Sequence, residues 1–302
     1  MEILKTLKTP GTARRRNLFA LALILPTVLY LLVAQLYPLV ETVRLSFTNT
    51  HLVRNSSDYI GFENFRTLFF DDENFWMIVR NTFLFVLVPI LTQFLVAVPA
   101  ALVLNSKIRF QGIWRGLVMV PWVMPMVVVG LMLKWLLDYH YGLINSSLEA
   151  LHLIKDPINW FGDEAWVYAT VIFASTWKGF AYPTIMTLAG LKGISAELYE
   201  SAQIDGAGAL RKFWSITLPM LKPVLLVSGI VTLITGWTKF EMVYILTNGG
   251  PGYATSTLPV YIFTNSFGSF RLGMGAAVAT FSTVVVLVMA FAYWKYFMEK
   301  ED

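Results

Sequence analysis

An all-helical membrane protein with six spanning helices is the fold this sequence predicts. Three observations predict it. The 302 residues are 56% hydrophobic and only 14% charged, against about 25% charged in a soluble domain. The apolar residues fall into six runs of about twenty, the length an α-helix needs to cross a bilayer. The lysines and arginines between those runs alternate in density from one side to the other, which orients the chain.

The runs cover residues 17–37, 75–104, 117–137, 166–191, 223–247 and 272–297. Strands are the poorer reading, because the runs are long and lack strict alternation. The first run exceeds the apolar region of a signal peptide, and no small-x-small cleavage site follows it. It is expected to stay as an anchor. Fourteen basic residues lie on one side, among them Lys5, Lys8, Arg14, Arg15, Arg16, Lys107, Arg109, Arg115, Arg211, Lys212 and Lys300. The other side has five: Arg44, Arg54, Arg66, Lys155 and Arg271. Both termini are therefore expected in the cytoplasm. Two regions are expected: 1–74, with the tail, the first span and an outward loop, and 75–302, with five spans and a cytoplasmic loop at 192–221.

Each element has its own signals. The outward loop after the first span carries Phe47, Tyr59, Phe62, Phe65, Phe69 and Phe70 and is expected to pack on the outer face, as a seal or as a docking surface. Pro26, Pro89, Pro99, Pro121, Pro125 and Pro183 fall inside spans. Each removes a backbone hydrogen bond and can kink a helix. Pro121-Trp122-Val123-Met124-Pro125 places two prolines four residues apart, enough to distort a full turn. In the cytoplasmic loop, Ser195 is positioned as an N-cap with Glu197 in the first turn. Tyr199, Ala202 and Gln203 share a face. Gly206 is expected to close this helix in the left-handed conformation. A second amphipathic helix with Leu210, Phe213, Trp214 and Ile216 follows, and Pro219 is expected to end it.

Several chemistries are not expected. The chain has no cysteine, hence no disulfide or thiolate site. His51, His140 and His152 lie far apart, and a metal site would need them to converge. No phosphate loop with Gly-Lys-Ser/Thr occurs, so ATP binding by this chain is not expected. No catalytic constellation stands out. Asn55-Ser56-Ser57 and Asn145-Ser146-Ser147 match a glycosylation pattern, a short and weak signal.

The spacing Glu200-x-Ala202-x3-Gly206-x9-Ile216-x-Leu218-Pro219 resembles the EAA loop of permease subunits in binding-protein-dependent ABC importers. Ser201 stands where that family usually has alanine. Asn81-Thr82, Pro121-Trp122-x2-Pro125, Leu191-Lys192-Gly193-Ile194, Tyr199-Glu200 and Asn248-Gly249-Gly250-Pro251 with Thr255 resemble the sugar-importer branch. They are most similar to its maltose-permease-F-like subunits. The likeness covers about residues 75–297.

The resemblance implies a type I permease bundle in a prokaryotic plasma membrane, with the first span wrapping outside, around a partner. It implies a transport subunit rather than an enzyme. Its partners would be a second homologous permease, two ATPase subunits that bind ATP and Mg, an extracytoplasmic solute-binding protein, a sugar or oligosaccharide and membrane lipid, with no nucleic acid. Glu200, Ser201, Ala202, Gly206, Ile216, Leu218 and Pro219 would form the contact with the ATPase. Importers of glycerol phosphate or amino acids, and secondary transporters, are the alternatives.

Polar residues inside spans are costly and so are candidates for a substrate path. Trp177, Lys178, Tyr182, Trp237, Glu241 and Tyr244 are the candidates here. Trp237 and Glu241, four apart, are expected on one helix face. The bland alternative is that Lys178 pairs with Glu241 as a structural tie and the aromatics are packing.

Overall fold

The computed structural model describes residues 10–54 and 56–298. Lys5, Lys8, Asn55 and Lys300 lie outside the described residues. Among the described residues the structure is helical, with no strand; only two isolated bridges, Thr48–Tyr59 and His51–Ser56, pin a turn.

Helix α1 (Pro10–Leu31) passes through one π turn into α2 (Tyr37–Leu45). Together they form a span, Asn17–Leu45, longer than the apolar run alone. The extra turns carry Glu41 and Arg44, which pair at 2.6 Å three residues apart. The most apolar part of this span has no buried residue, so the other described residues do not cover it. Short α3 (Glu63–Arg66) leads to α4 (Phe75–Asn105), the longest helix at 31 residues. Pro89 and Pro99 remain inside α4 without breaking it.

The third run does break. Helices α5 (Gln111–Val123) and α6 (Met126–Leu136) meet at 91°. Met124 is extended, at φ −60° and ψ 137°, the region that the ring of a following proline imposes on its neighbour. Pro121, by contrast, stays within α5.

After α7 (Leu143–Ala150), the fourth run is divided into α8 (Glu164–Gly179) and α9 (Ala181–Lys192). Pro183, in the first turn of α9, lacks the N–H that would bond to the Gly179 carbonyl, and the interruption falls there.

Helix α10 (Ala196–Ile204) and α11 (Ala209–Lys212) form the loop segment, and α12 (Leu218–Trp237) follows a π turn. Here the expectation for Pro219 is corrected. The helical stretch Ala209–Trp237 runs through that proline and is long and apolar enough to span. In the π turn the Leu218 N–H bonds to the Phe213 carbonyl, and Pro219 falls in the first turn of α12, where a missing N–H is tolerated.

Helix α13 (Glu241–Thr247), α14 (Leu258–Phe263) and the final α15 (Leu272–Met298) complete the chain. Among the described residues, four helical stretches are thus long and apolar enough to span, and five if the bent α5–α6 pair is one crossing.

Three buried clusters hold the bundle. The first joins α4, α12 and α15 through Phe75, Ile78, Leu233, Trp237 and Val278. The second joins α6, α8 and α13 through Val129, Val171 and Met242. The third lies where α4, α9 and α12 converge beside the loop, around Leu104, Leu191 and Leu221.

Candidate functional site

Three sites organise the bundle: a helix–turn–helix loop, a polar cavity among the spans, and a hydrogen-bonded cap.

The loop is built as its residues require. The Ser195 hydroxyl accepts from the Glu197 N–H at 3.3 Å, satisfying one of the free donors at the start of α10. At the other end Gly206 has φ +76°. The Ala207 N–H bonds to the Ala202 carbonyl at 2.8 Å and the Gly206 N–H to the Gln203 carbonyl at 3.1 Å, which is the Schellman closure. A β-carbon at Gly206 would meet nothing within 4 Å, so the glycine is there for its backbone conformation.

The two arms hold each other lightly. Tyr199 turns inward, its hydroxyl 2.9 Å from that of Thr217. Lys212 Nζ donates to Gln203 Oε1 at 3.2 Å. Opposite this face, Glu197, Glu200, Ser201 and Ile204 are all exposed, at the i, i+3, i+4, i+7 spacing of a single helical stripe. Helix α10 has no buried residue, and Ile204 is 88% and Leu210 74% exposed. Of the other motif positions, Ala202, Ile216 and Leu218 are half-buried and Pro219 is exposed.

The cavity, about 290 Å³, lies among α4, α5–α6, α8–α9 and α12. Two candidate path residues, Lys178 and Tyr182, line it, together with Gln93, Trp122, Thr235 and Lys239. Lys178 is only 8% exposed and donates to the Trp122 carbonyl at 2.7 Å. The break at Pro125 frees that carbonyl, and the lysine satisfies it. Lys178 therefore ties α8 to the bend through a backbone carbonyl, and the alternative tie to Glu241 is not formed among the described residues.

The other candidates lie elsewhere. Trp237 and Glu241 do not share a helix face, because α12 ends at Trp237 and α13 begins at Glu241. Trp237 is 2% exposed, packs edge-on against Phe83 and donates to Ser282 Oγ at 2.9 Å. Glu241 is exposed. Tyr244 stacks on Phe240 and meets Phe263 edge-on. Trp177 borders a separate apolar cavity with Phe173 and Trp160.

The cap joins motifs far apart in sequence. Asn81 Nδ2 donates to the carbonyls of Tyr253 and Ala254 at 3.2 and 2.8 Å, and its Oδ1 accepts from the Tyr168 hydroxyl at 3.0 Å. Thr82 Oγ1 accepts from the Leu258 N–H at 2.8 Å. The receiving loop is wound by Asn248 at φ 53° and Gly249 at φ 85° and closed by Thr255 Oγ1 donating to the Gly250 carbonyl. Asn64 clamps the carbonyls of Ser46 and Thr48. The Leu52 and Gly273 N–H groups join that loop to the start of α15. Tyr261 donates to Asp72; burial, with this bond, pushes the phenol well above its usual pKa. Sequence reading named Asn81-Thr82 and Asn248–Thr255 as separate motifs.

No group of three metal-ligating side chains occurs among the described residues.

Residues 93–297 match the model of the family described as binding-protein-dependent transport system inner membrane component. The chain is 34% identical over 286 residues to the sulfoquinovosyl glycerol transport system permease protein SmoG of Agrobacterium fabrum, covering 94% of this chain and 92% of that one. It is 32% identical over 273 residues to the trehalose/maltose transport system permease protein MalF of Thermococcus litoralis, covering 90% and 91%. In fold it is similar to a chain of a bacterial ABC transporter involved in the import of the acidic polysaccharide alginate. The TM-score is 0.81, with 24% identity and 98% of both chains covered. A second structure of such a transporter, in complex with alginate pentasaccharide-bound periplasmic protein, matches with the same TM-score over 94% and 95%.

Proposed function

The chain belongs to the family of binding-protein-dependent transport system inner membrane components, and from that premise we propose that it is the permease subunit of an ABC importer for a sugar or oligosaccharide. One observation carries the coupling part of this reading. A capped helix, exposed along Glu197, Glu200, Ser201 and Ile204, stands between α9 and α12 with nothing among the described residues to cover it. The saccharides named for the relatives support the substrate class.

In this reading there are six crossings, with α8 and α9 joined through Phe180, whose dihedrals remain helical (φ −64°, ψ −23°), as one of them. Both termini and the α10 loop face the cytoplasm of a prokaryotic cell, as the positive charges favour. A second homologous permease pairs with this one, and the uncovered first span packs on it. Two ATPase subunits, which bind ATP and Mg, receive Glu200, Ser201, Ala202 and Gly206. Ile216, Leu218 and Pro219 carry the motion into α12. A solute-binding protein delivers substrate at the cap. Closure of the ATPases moves α10 as a rigid element and the bundle alternates access. The free energy comes from differential binding of ATP and loaded binding protein to the two states.

The test is ATP hydrolysis by the reconstituted complex. Binding protein loaded with a saccharide stimulates it. Stimulation by glycerol phosphate or an amino acid, and by no saccharide, overturns the substrate class.

A further inference from the structure

We propose that the polar cavity receives the negatively charged group of an acidic saccharide, with Lys239 as its principal counter-charge. This rests on the reading of the chain as a sugar permease and narrows its substrate class. Two lysines, Lys178 and Lys239, line one cavity of about 290 Å³. Among the described residues no carboxylate lies within ion-pairing distance of either. Glu241, two residues beyond Lys239, is exposed and outside that distance. An unpaired positive charge within a membrane bundle is costly, and two on one cavity more so. An anion in the cavity removes that cost.

The remaining lining fits the rest of a sugar. Gln93 is 1% exposed; its Nε2 donates to the Ser175 carbonyl at 3.0 Å, which turns Oε1 the other way. That oxygen has no partner and is fully buried; the hydroxyls of a sugar would meet the other lining groups. Thr235 and Tyr182 add hydroxyls, and Trp122 adds an aromatic face.

The lysines differ in role. Lys178 uses one of its three donors on the Trp122 carbonyl and is a structural tie as well. Lys239 has no such bond and is the group free to answer a ligand. The volume lies near the lower end of the roughly 300–1,000 Å³ of small-molecule sites, so it suits one sugar ring, the remainder of a longer substrate extending beyond this subunit.

The experiment measures equilibrium binding to the full permease–ATPase complex in phosphatidylcholine nanodiscs, using cellobiouronate and its neutral parent cellobiose. The acid is expected to bind at least about tenfold more tightly, as a charged hydrogen bond predicts. Lys239→Gln removes the preference, and Lys239→Arg, which keeps the charge, retains it. Equal binding of the two sugars, tighter binding of the neutral one, or no binding of the acid overturns the assignment. So does a preference unchanged in Lys239→Gln, the outcome expected if a carboxylate of the second permease neutralises this lysine. The sugar-permease reading fails separately, when no saccharide-loaded binding protein stimulates ATP hydrolysis.

Discussion

The cap and the α10 loop treat the same problem, polar backbone between spans, in opposite ways. At the cap the chain satisfies itself. Asn81, Thr82, Asn64 and Tyr261 reach across the fold to fix carbonyls, an N–H and a carboxylate on other segments. At the loop, interactions are local: a serine cap, a glycine closure and two side-chain bonds between neighbouring arms. Several apolar residues there face outward, with Leu198, Ile204, Leu210 and Trp214 exposed. The chain seals one end with bonds spanning more than 170 residues and, among the described residues, leaves α10 at the other end without a buried residue.

That contrast can be broken most severely at Gly206. Gly206→Pro forces φ near −65° where the structure has +76°. The closure of α10 is lost, and substrate uptake by the complex should fall by at least about 100-fold, through uncoupling or failed assembly. Normal uptake would remove the loop from the transmission path. At the cap, Asn81→Ala strips hydrogen bonds from two carbonyls and from the Tyr168 hydroxyl. It should destabilise the purified permease by ~2–4 kcal/mol, read by thermal unfolding in detergent, even with no partner present. Gly273→Ala acts on the same end by close approach, since a β-carbon there would lie 2.0 Å from the Thr48 carbonyl oxygen; the cost should be ~1–3 kcal/mol. Smallest is Ser195→Ala, which removes one N-cap bond, at about 1 kcal/mol. It should show as faster amide exchange in α10 with little change in the melting of the whole. If Ser195→Ala lowered global stability as much as Asn81→Ala, the two ends would not differ as described.

Much of this was legible in the residues. Long apolar runs announce spans because a bilayer demands about twenty apolar residues in helix. Ser195 and Gly206 announce the ends of α10 because capping is local chemistry. Pro125 breaks its span because a proline restricts the residue before it. Pro219 does not end its helix, because near a helix start a proline is tolerated and the π turn before it carries the helix through; local sequence does not show that turn. The separation of Trp237 from Glu241 has no proline to signal it; its one local mark is Gly236, beside the end of α12. The partnership of Asn81 with Tyr253 and Ala254 spans more than 170 residues, and nothing in either segment names the other. Spacing likewise could not show that Lys178 would bond to a backbone carbonyl exposed by a bend in another helix.

The central claim, that the chain is closed at its cap and completed by a partner at α10, is tested most directly by amide hydrogen exchange of the permease with and without its ATPase subunits. The account predicts that the amides of Ala196–Ile204 gain protection of at least about tenfold on assembly, while those of the Asn248–Leu258 cap do not change. Equal protection of α10 in both states would contradict it.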